Sequence, residues 1–495
     1  MDSHSIPRGF LTECESEQLH LSGAIQGHGC LLVTGANETI THVSSNISSF
    51  LNLDPKSVLN CELSQVLRLP ESRPKIDSGN RLLTDAYHEP SNTQLSAQLV
   101  RGADESLMVE LYHPSLQSAS SAPIRHHDFA KNQPHTPEEL LIEEQSVISY
   151  VMSLSGFQRV LYYAFREDHD GEVRAECRQE DAYGSYLGLR FPASDIPHIA
   201  RVLYKQNPWR SIPDSQEASV PIISLHDLKP DLTWTDLRSV SPIHQVYLAN
   251  MGVRSSLSFP IVVNGELVAL IAAHHREPKY LPLYILEQIS KRVKAHEFAV
   301  SSFQTHTRLR MIDGIDHSLH QVQGLIERMG GLENAWPEFS AWLIKRFQAD
   351  GAVLCLDNDY LTSGLDIGAD ALTRLDAWFC HDQSDLIAST DSVSLTISRF
   401  PLSEVTGVLA LSILAPKCPY FRLYLTRGEH IHEISWGGRP DKPLEHHDGA
   451  LGIAPRHSFE KWIEKRMGHS RPWSREARML ALKLRALLME LRLCK

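Results

Sequence analysis

The residues best suited to chemistry are two arginines, a histidine and a set of hydroxyls between positions 204 and 258. Arg210 stands in "NPWRSIPD" after Tyr204, and Arg238 opens a stretch that adds Ser241, His244 and Tyr247. Guanidinium groups hold carboxylates through paired, charge-assisted hydrogen bonds, and hydroxyls and imidazole supply further donors. His244 and Tyr247 are three apart, hence neighbours if Pro242 opens a helix. Ser256 and Ser258 are two apart and share one face of a strand. Alone they read as hydroxyls facing water; beside the arginines they complete a pair of carboxylate clamps. Tyr163, Phe191 and Tyr247 could wall a flat apolar ligand. His274 reads equally as a satisfied core histidine or as part of the site. Asp195, in "RFPASDIPHIARVLY", precedes an amphipathic run with Ile199, Val202 and Leu203. It reads as a helix cap or as a carboxylate placed for chemistry.

No nucleophile accompanies this set. The chain has no Gly-rich phosphate loop ending in Lys-Ser/Thr, no Gly-x-Ser-x-Gly and no His-Glu-x-x-His. His126-His127-Asp128 and His446-His447-Asp448 lack a second ligand pair at a suitable spacing and read as solvated loops, so no metal is expected. The formal net charge of −12 gives no basic field for nucleic acid or an anionic membrane. No apolar run reaches the roughly 20 residues that cross a bilayer, and residues 1–20 do not read as a signal peptide. Eight scattered cysteines suit a reduced, cytoplasmic setting better than a disulfide framework.

The elements that must position these groups fall into about three domains, since 495 residues exceed one core. Residues 21–112 read as short strands, and a polar, proline-bearing linker follows from "PSLQSASS". A helix is predicted from about Pro137 to Leu154. "SSLSFPIVVNGELVALIAAHH" is a hairpin closed by Asn264-Gly265, so an α+β domain spans about 136–300. A long helical pattern runs from Leu283 to about Arg328, and residues 335–470 form a third α+β unit. Leu480, Leu484, Leu487 and Leu491 stripe the last helix, for a parallel partner helix or for docking on its own domain.

"FPASDIP", then "ARVLY" and "NPWRSIPD", then "SPIHQVYLANMGV" and "AAHH", resemble the bilin-binding GAF domain of phytochromes. "ECESEQLHLSGAIQGHGCLLV" is similar to the start of a bacteriophytochrome PAS domain, and "WGGRP" with "APRHSFEKW" to the tongue of a PHY domain. The resemblance covers nearly the whole chain. It implies three successive α+β sensor domains of antiparallel sheets flanked and joined by long helices. These are PAS over 1–125, GAF over 126–310 and PHY over 311–495, with the tongue at 430–470.

By that resemblance Cys14 would join biliverdin IXα through a thioether, because the other attachment position of the family is Ile243 here. Tyr204, Arg210 and Arg238 would hold one propionate, and His244, Ser256 and Ser258 the other, with Ser241 close by. Asp195, with Ile196 and Pro197 of its motif, and His244 would lie near the pyrrole nitrogens. Tyr163, Phe191, Tyr247 and His274 would surround the D ring. The implied function is a red/far-red photoreceptor working by Z/E isomerisation at the D ring, and not an enzyme in itself. Arg456 of the tongue, which also carries Trp436, would pair with Asp195 in one state and Ser458 would replace it in the other. Residues two apart share a strand face but separate around a helix, so a refolding tongue swaps them. A homodimer acting on an output domain or response regulator is the implied partnership. The alternative is a light-insensitive PAS/GAF sensor of another small molecule. Three departures from the family pattern stand out: Gly27 in "IQGHG", Gln245-Val246 after the histidine, and "YLTRGE" before the tongue.

Overall fold

The computed structural model describes residues 17–70, 76–113, 133–182, 184–226, 228–356, 359–382, 386–413, 421–440, 444–447, 450–453 and 459–493. Cys14, Arg456, Ser458, the His126-His127-Asp128 stretch, most of the expected linker and Asp448 lie outside them. The chain divides into two compact units: residues 1–304 with 435–462, and residues 305–434 with 463–495.

The first unit carries two mainly antiparallel sheets. One runs in the order Ala24–Ile25, Val220–Ser224, Ile40–Ser44, Cys30–Thr34, Leu107–Tyr112, Thr93–Arg101, Arg81–His88. Its second strand arrives from almost two hundred residues downstream. Residues 20–26 are held on both sides by that returning segment: Ile222 N–H donates to Gly23 O, while Leu232 and Ser239 donate to His20 O and Ala24 O. The other sheet runs Arg210–Ile212, Ser255–Val263, Glu266–His275, Arg159–Phe165, Gly171–Arg178, Arg190–Phe191. Its edge is extended by the 435–462 segment, where Trp436 pairs in parallel with Arg190. The expected hairpin is present, with Asn264 at φ 53° and Gly265 at φ 78°. Both central residues of a type I′ turn need that left-handed backbone. Helix Pro137–Ser155 starts where the Thr136 hydroxyl accepts from Glu139 N–H and stops at Gly156 in the left-handed conformation. It packs with Leu283, Leu286, Ile289 and Val293 of helix Leu283–Arg328 into the core beneath the sheet.

In the second unit five antiparallel strands run Asp359–Gly364, Gly351–Leu356, Phe421–Gly428, Val405–Ile413, Ile387–Thr390. Helices Trp336–Phe347 and Arg475–Leu493 share one core with Ile315, Leu319, Val322 and Ile326. Here the structure decides between the two readings of the leucine stripe. Leu480 and Leu484 are fully buried in that core, with Leu487 and Leu491 packed against it. The stripe therefore docks on its own domain and is not left open for a partner helix.

Candidate functional site

A cleft of about 1180 Å³ opens in the first unit between helix His198–Gln206, helix Pro242–Asn250 and the stretch 235–241. Of the residues picked from sequence, Asp195, Ile196, Pro197, Tyr204, Arg210, Arg238, Ser241, His244 and Tyr247 line it. Helical spacing turns Ile199 and Leu203 toward the cleft and leaves Val202 outside. As expected from Pro242 at its start, the next helix sets His244 and Tyr247 side by side, with ring centroids 6.0 Å apart and planes 14° apart.

The other five picked residues are joined to the lining through their neighbours. Ser258 pairs across the sheet with Arg210, and Ser256 with Ile212 on one side and His274 on the other. Both serines are buried, so they do not face water as their strand pattern alone suggests. Tyr163 and Phe191 pack with Ile196, Tyr204 and Tyr186 in one apolar cluster. The ring of His274 has a buried Nδ1 with no hydrogen-bond partner. Burial and the nearby Arg159 and His244 lower its pKa to about 3. Burial and Arg210 lower His244 to about 4, so both rings are neutral at pH 7.

Asp195 does not cap the helix that follows. It ends the 3-10 turn Ala193–Asp195, and Pro197, which offers no side-chain acceptor, occupies the cap of His198–Gln206. Its Oδ2 accepts from the Tyr247 hydroxyl at 3.4 Å. The carboxylate thus belongs to the cleft and not to the helix terminus.

Arg210 donates to three main-chain carbonyls, Asp236 O at 2.6 Å, Arg238 O at 2.5 Å and Ser239 O at 3.2 Å. Burial and the charge of Arg210 lower Arg238 to about 9, which still leaves it mostly protonated at neutral pH. Two guanidiniums, the neutral imidazole of His244 and the Tyr204 and Ser241 hydroxyls stand on a wall otherwise made by Ile196, Ile199, Ile212, Val240 and Ile243. That donor set on apolar walls fits a flat, largely apolar ligand carrying carboxylates, as a bilin is.

Several contributors were not singled out from sequence. Glu17 lines the cleft and accepts from the Ser241 hydroxyl at 3.1 Å. From the tongue segment, Phe459 meets Tyr247 edge-on at 5.2 Å and 87°. At Gly437 a Cβ would stand 2.5 Å from the Phe191 ring, so only glycine lets the backbone approach there. The nearest signal for Gly437 and Phe459 is their place inside the quoted motifs "WGGRP" and "APRHSFEKW", and for Glu17 its place in "ECESEQLHLSGAIQGHGCLLV". Trp436 itself is buried. Among the described residues no group of three or more His, Cys, Asp or Glu could hold a metal, and no helix is long and apolar enough to cross a membrane.

Three family models match the chain: a PAS fold over residues 14–111, a GAF domain over 145–293 and a phytochrome region over 321–495. Fold and site together define a PAS–GAF–PHY photosensory module. The bacteriophytochrome of Pseudomonas aeruginosa is 33% identical over 98% of this chain and 67% of its own length. Cyanobacterial phytochrome B of a Nostoc species is 30% identical over 96% and 65%. The chain belongs to the phytochromes, the red/far-red photoreceptors, and spans about two thirds of the length of these relatives. Among solved structures, the photosensory core module of Stigmatella aurantiaca phytochrome matches with TM-score 0.81 at 25% identity, covering 97% of this chain and 98% of that one. A bacteriophytochrome from R. palustris matches with TM-score 0.78 at 26% identity, covering 98% and 99%.

Proposed function

We propose that the cleft binds biliverdin IXα, joined through a thioether to Cys14, and that the module reports red and far-red light to an output domain or response regulator. The observation that carries this is the convergence on one cleft of nine motif residues and Glu17. Cys14 stands three residues before Glu17, which lines the cleft. The cysteine sits among Glu13, Glu15 and Glu17, which disfavour a thiolate, so holding the reactants together supplies most of the rate.

The bound bilin supplies absorption of red light and Z/E isomerisation at its D ring. In this reading Arg238, Tyr204 and Arg210 hold one propionate, and His244, Ser256 and Ser258 the other, with Ser241 beside them. Neutral His274 uses its unpartnered Nδ1 toward the D ring, which Tyr163, Phe191 and Tyr247 surround. Asp195 is the anchor for the tongue, with Arg456 and Ser458 as alternative partners in the two states. The strands His432–Gly437 and Lys461–Arg466 of the tongue segment support a strand form as one of its two forms. Domains divided at 125/126 and 310/311, working as a homodimer, complete the account.

Uptake is tested by mixing the purified apoprotein with biliverdin, then denaturing it. The chain should develop a red or far-red band and retain pigment under denaturation, and Cys14→Ser should bind pigment but release it. Absence of any band would refute the bilin reading, and pigment retained by Cys14→Ser would move the attachment elsewhere.

A further inference from the structure

The carbonyls that hold Arg210 belong to a stretch of chain pinned from behind by the first sheet. Strand Leu107–Tyr112 buries Glu110 completely, an unusual place for a carboxylate unless it is fully partnered. Its Oε2 accepts from Tyr112 Oη at 2.6 Å and Gln98 Nε2 at 2.7 Å, and its Oε1 accepts from the main-chain N–H of Asp236 at 3.1 Å. Burial pushes the Glu110 carboxyl up, while Arg81 and the Thr235 and Tyr112 hydroxyls pull it part of the way back. Asp236 is held again by its own side chain, whose Oδ1 accepts from Ser211 N–H at 2.9 Å. Gln26 Nε2 donates to Asp236 O, and Arg81 donates to Trp234 O. The same Asp236 carbonyl receives Arg210. From Glu110 to the arginine in the cleft there is thus one residue of main chain.

Glu110 does not itself line the cleft. We propose that Glu110 is a positioning residue for the carboxylate clamp: it fixes the 235–239 turn, whose carbonyls set the orientation of Arg210 and the start of Arg238. Arg81, Arg210 and Arg238 share this buried network with Glu110 and Asp236, whose carboxyls burial pushes up. The proposal rests on the bilin reading of the cleft and goes beyond it by assigning part of the clamp to the first sheet.

The test compares biliverdin with its dimethyl ester, in which both carboxylates are capped, on the full chain carrying Cys14→Ser so that binding is reversible. The parent should prefer the free acid. Glu110→Ala leaves the Asp236 N–H unpaired and should cut that preference about tenfold, the worth of one misplaced charge-assisted hydrogen bond. Glu110→Gln keeps an acceptor for Asp236, and reorienting the Gln98 amide lets its oxygen accept from the new NH2 group, so it should stay within about threefold of the parent. A merely structural defect weakens both pigments alike, and an unchanged acid-to-ester ratio in Glu110→Ala overturns the proposal. Should Glu110→Ala not fold, Gln98→Leu removes one of the donors that hold Glu110. It should then lower the ratio about threefold, and no change would be equally decisive. If the parent binds neither pigment, the bilin reading fails and this proposal with it, whereas an unchanged ratio with both pigments bound overturns the proposal alone.

Discussion

Phe459→Ala removes the ring by which the tongue segment meets the cleft. Phe459 contacts Tyr247 edge-on at 5.2 Å and joins the cluster of Leu161, Tyr163, Phe191 and Leu189. An edge-to-face aromatic pair contributes about 1 kcal/mol beyond burial, and truncating a partly buried ring costs about 1 kcal/mol more in lost apolar contact. Together these weaken tongue docking by about 2 kcal/mol, or about 30-fold in the local opening equilibrium. The readout is amide hydrogen exchange at Gly438, whose N–H donates to Glu460 O at 2.8 Å, one residue from the deleted ring. Its exchange should accelerate about 30-fold, while amides of strand Cys30–Thr34, in the first sheet, stay unchanged. Two results refute the reasoning: an unaltered Gly438 amide, or equal acceleration in both places. Tyr247→Phe keeps the ring contact and should leave Gly438 protected.

Other perturbations test separate parts of the account. Gly437→Ala puts a methyl 2.5 Å from the Phe191 ring and should expose the same Gly438 amide at a cost of about 1–3 kcal/mol, read by the same exchange measurement. Leu484→Ala should destabilise the second unit by about 2–5 kcal/mol in urea unfolding, whereas a stripe reserved for a partner helix would cost almost nothing in the monomer. The folded pKa values of His28, His244 and His274, about 3, 4 and 3, lie below the ordinary value of 6.5. Between about pH 6.5 and 4 these three imidazoles therefore bind more protons in the unfolded chain than in the ligand-free folded one. Their contribution to stability should hold above pH 6.5 and be lost as the pH drops through that window, so the fall is shallower in His274→Gln than in the parent. Urea midpoints at a series of pH values measure it.

Much of the site was legible because local rules and the site agree. Asn264-Gly265 can be little else than a tight hairpin turn, and Pro242 places His244 and Tyr247 on one helix face. The same local rules misread Asp195, since a cap needs the acidic side chain next to the first helical turn and Pro197 holds that place. The leucine stripe could not be assigned from its spacing, because packing on one's own core and on a partner demand the same pattern. What escaped altogether was long-range. Residues 220–224 join the first sheet and Glu110 reaches the 236 main chain, and neither strand carries a mark of its distant neighbour. Phe459 escaped likewise, being one aromatic in a polar stretch until the fold set it against Tyr247.

The most direct test of the central claim is a difference spectrum of the full chain loaded with biliverdin, recorded after red and then after far-red illumination. The account expects two interconverting bands whose difference reverses sign on each change of light, with the amplitude reduced in Asp195→Ala although the pigment stays bound. A bound pigment whose spectrum is the same after both illuminations would contradict it.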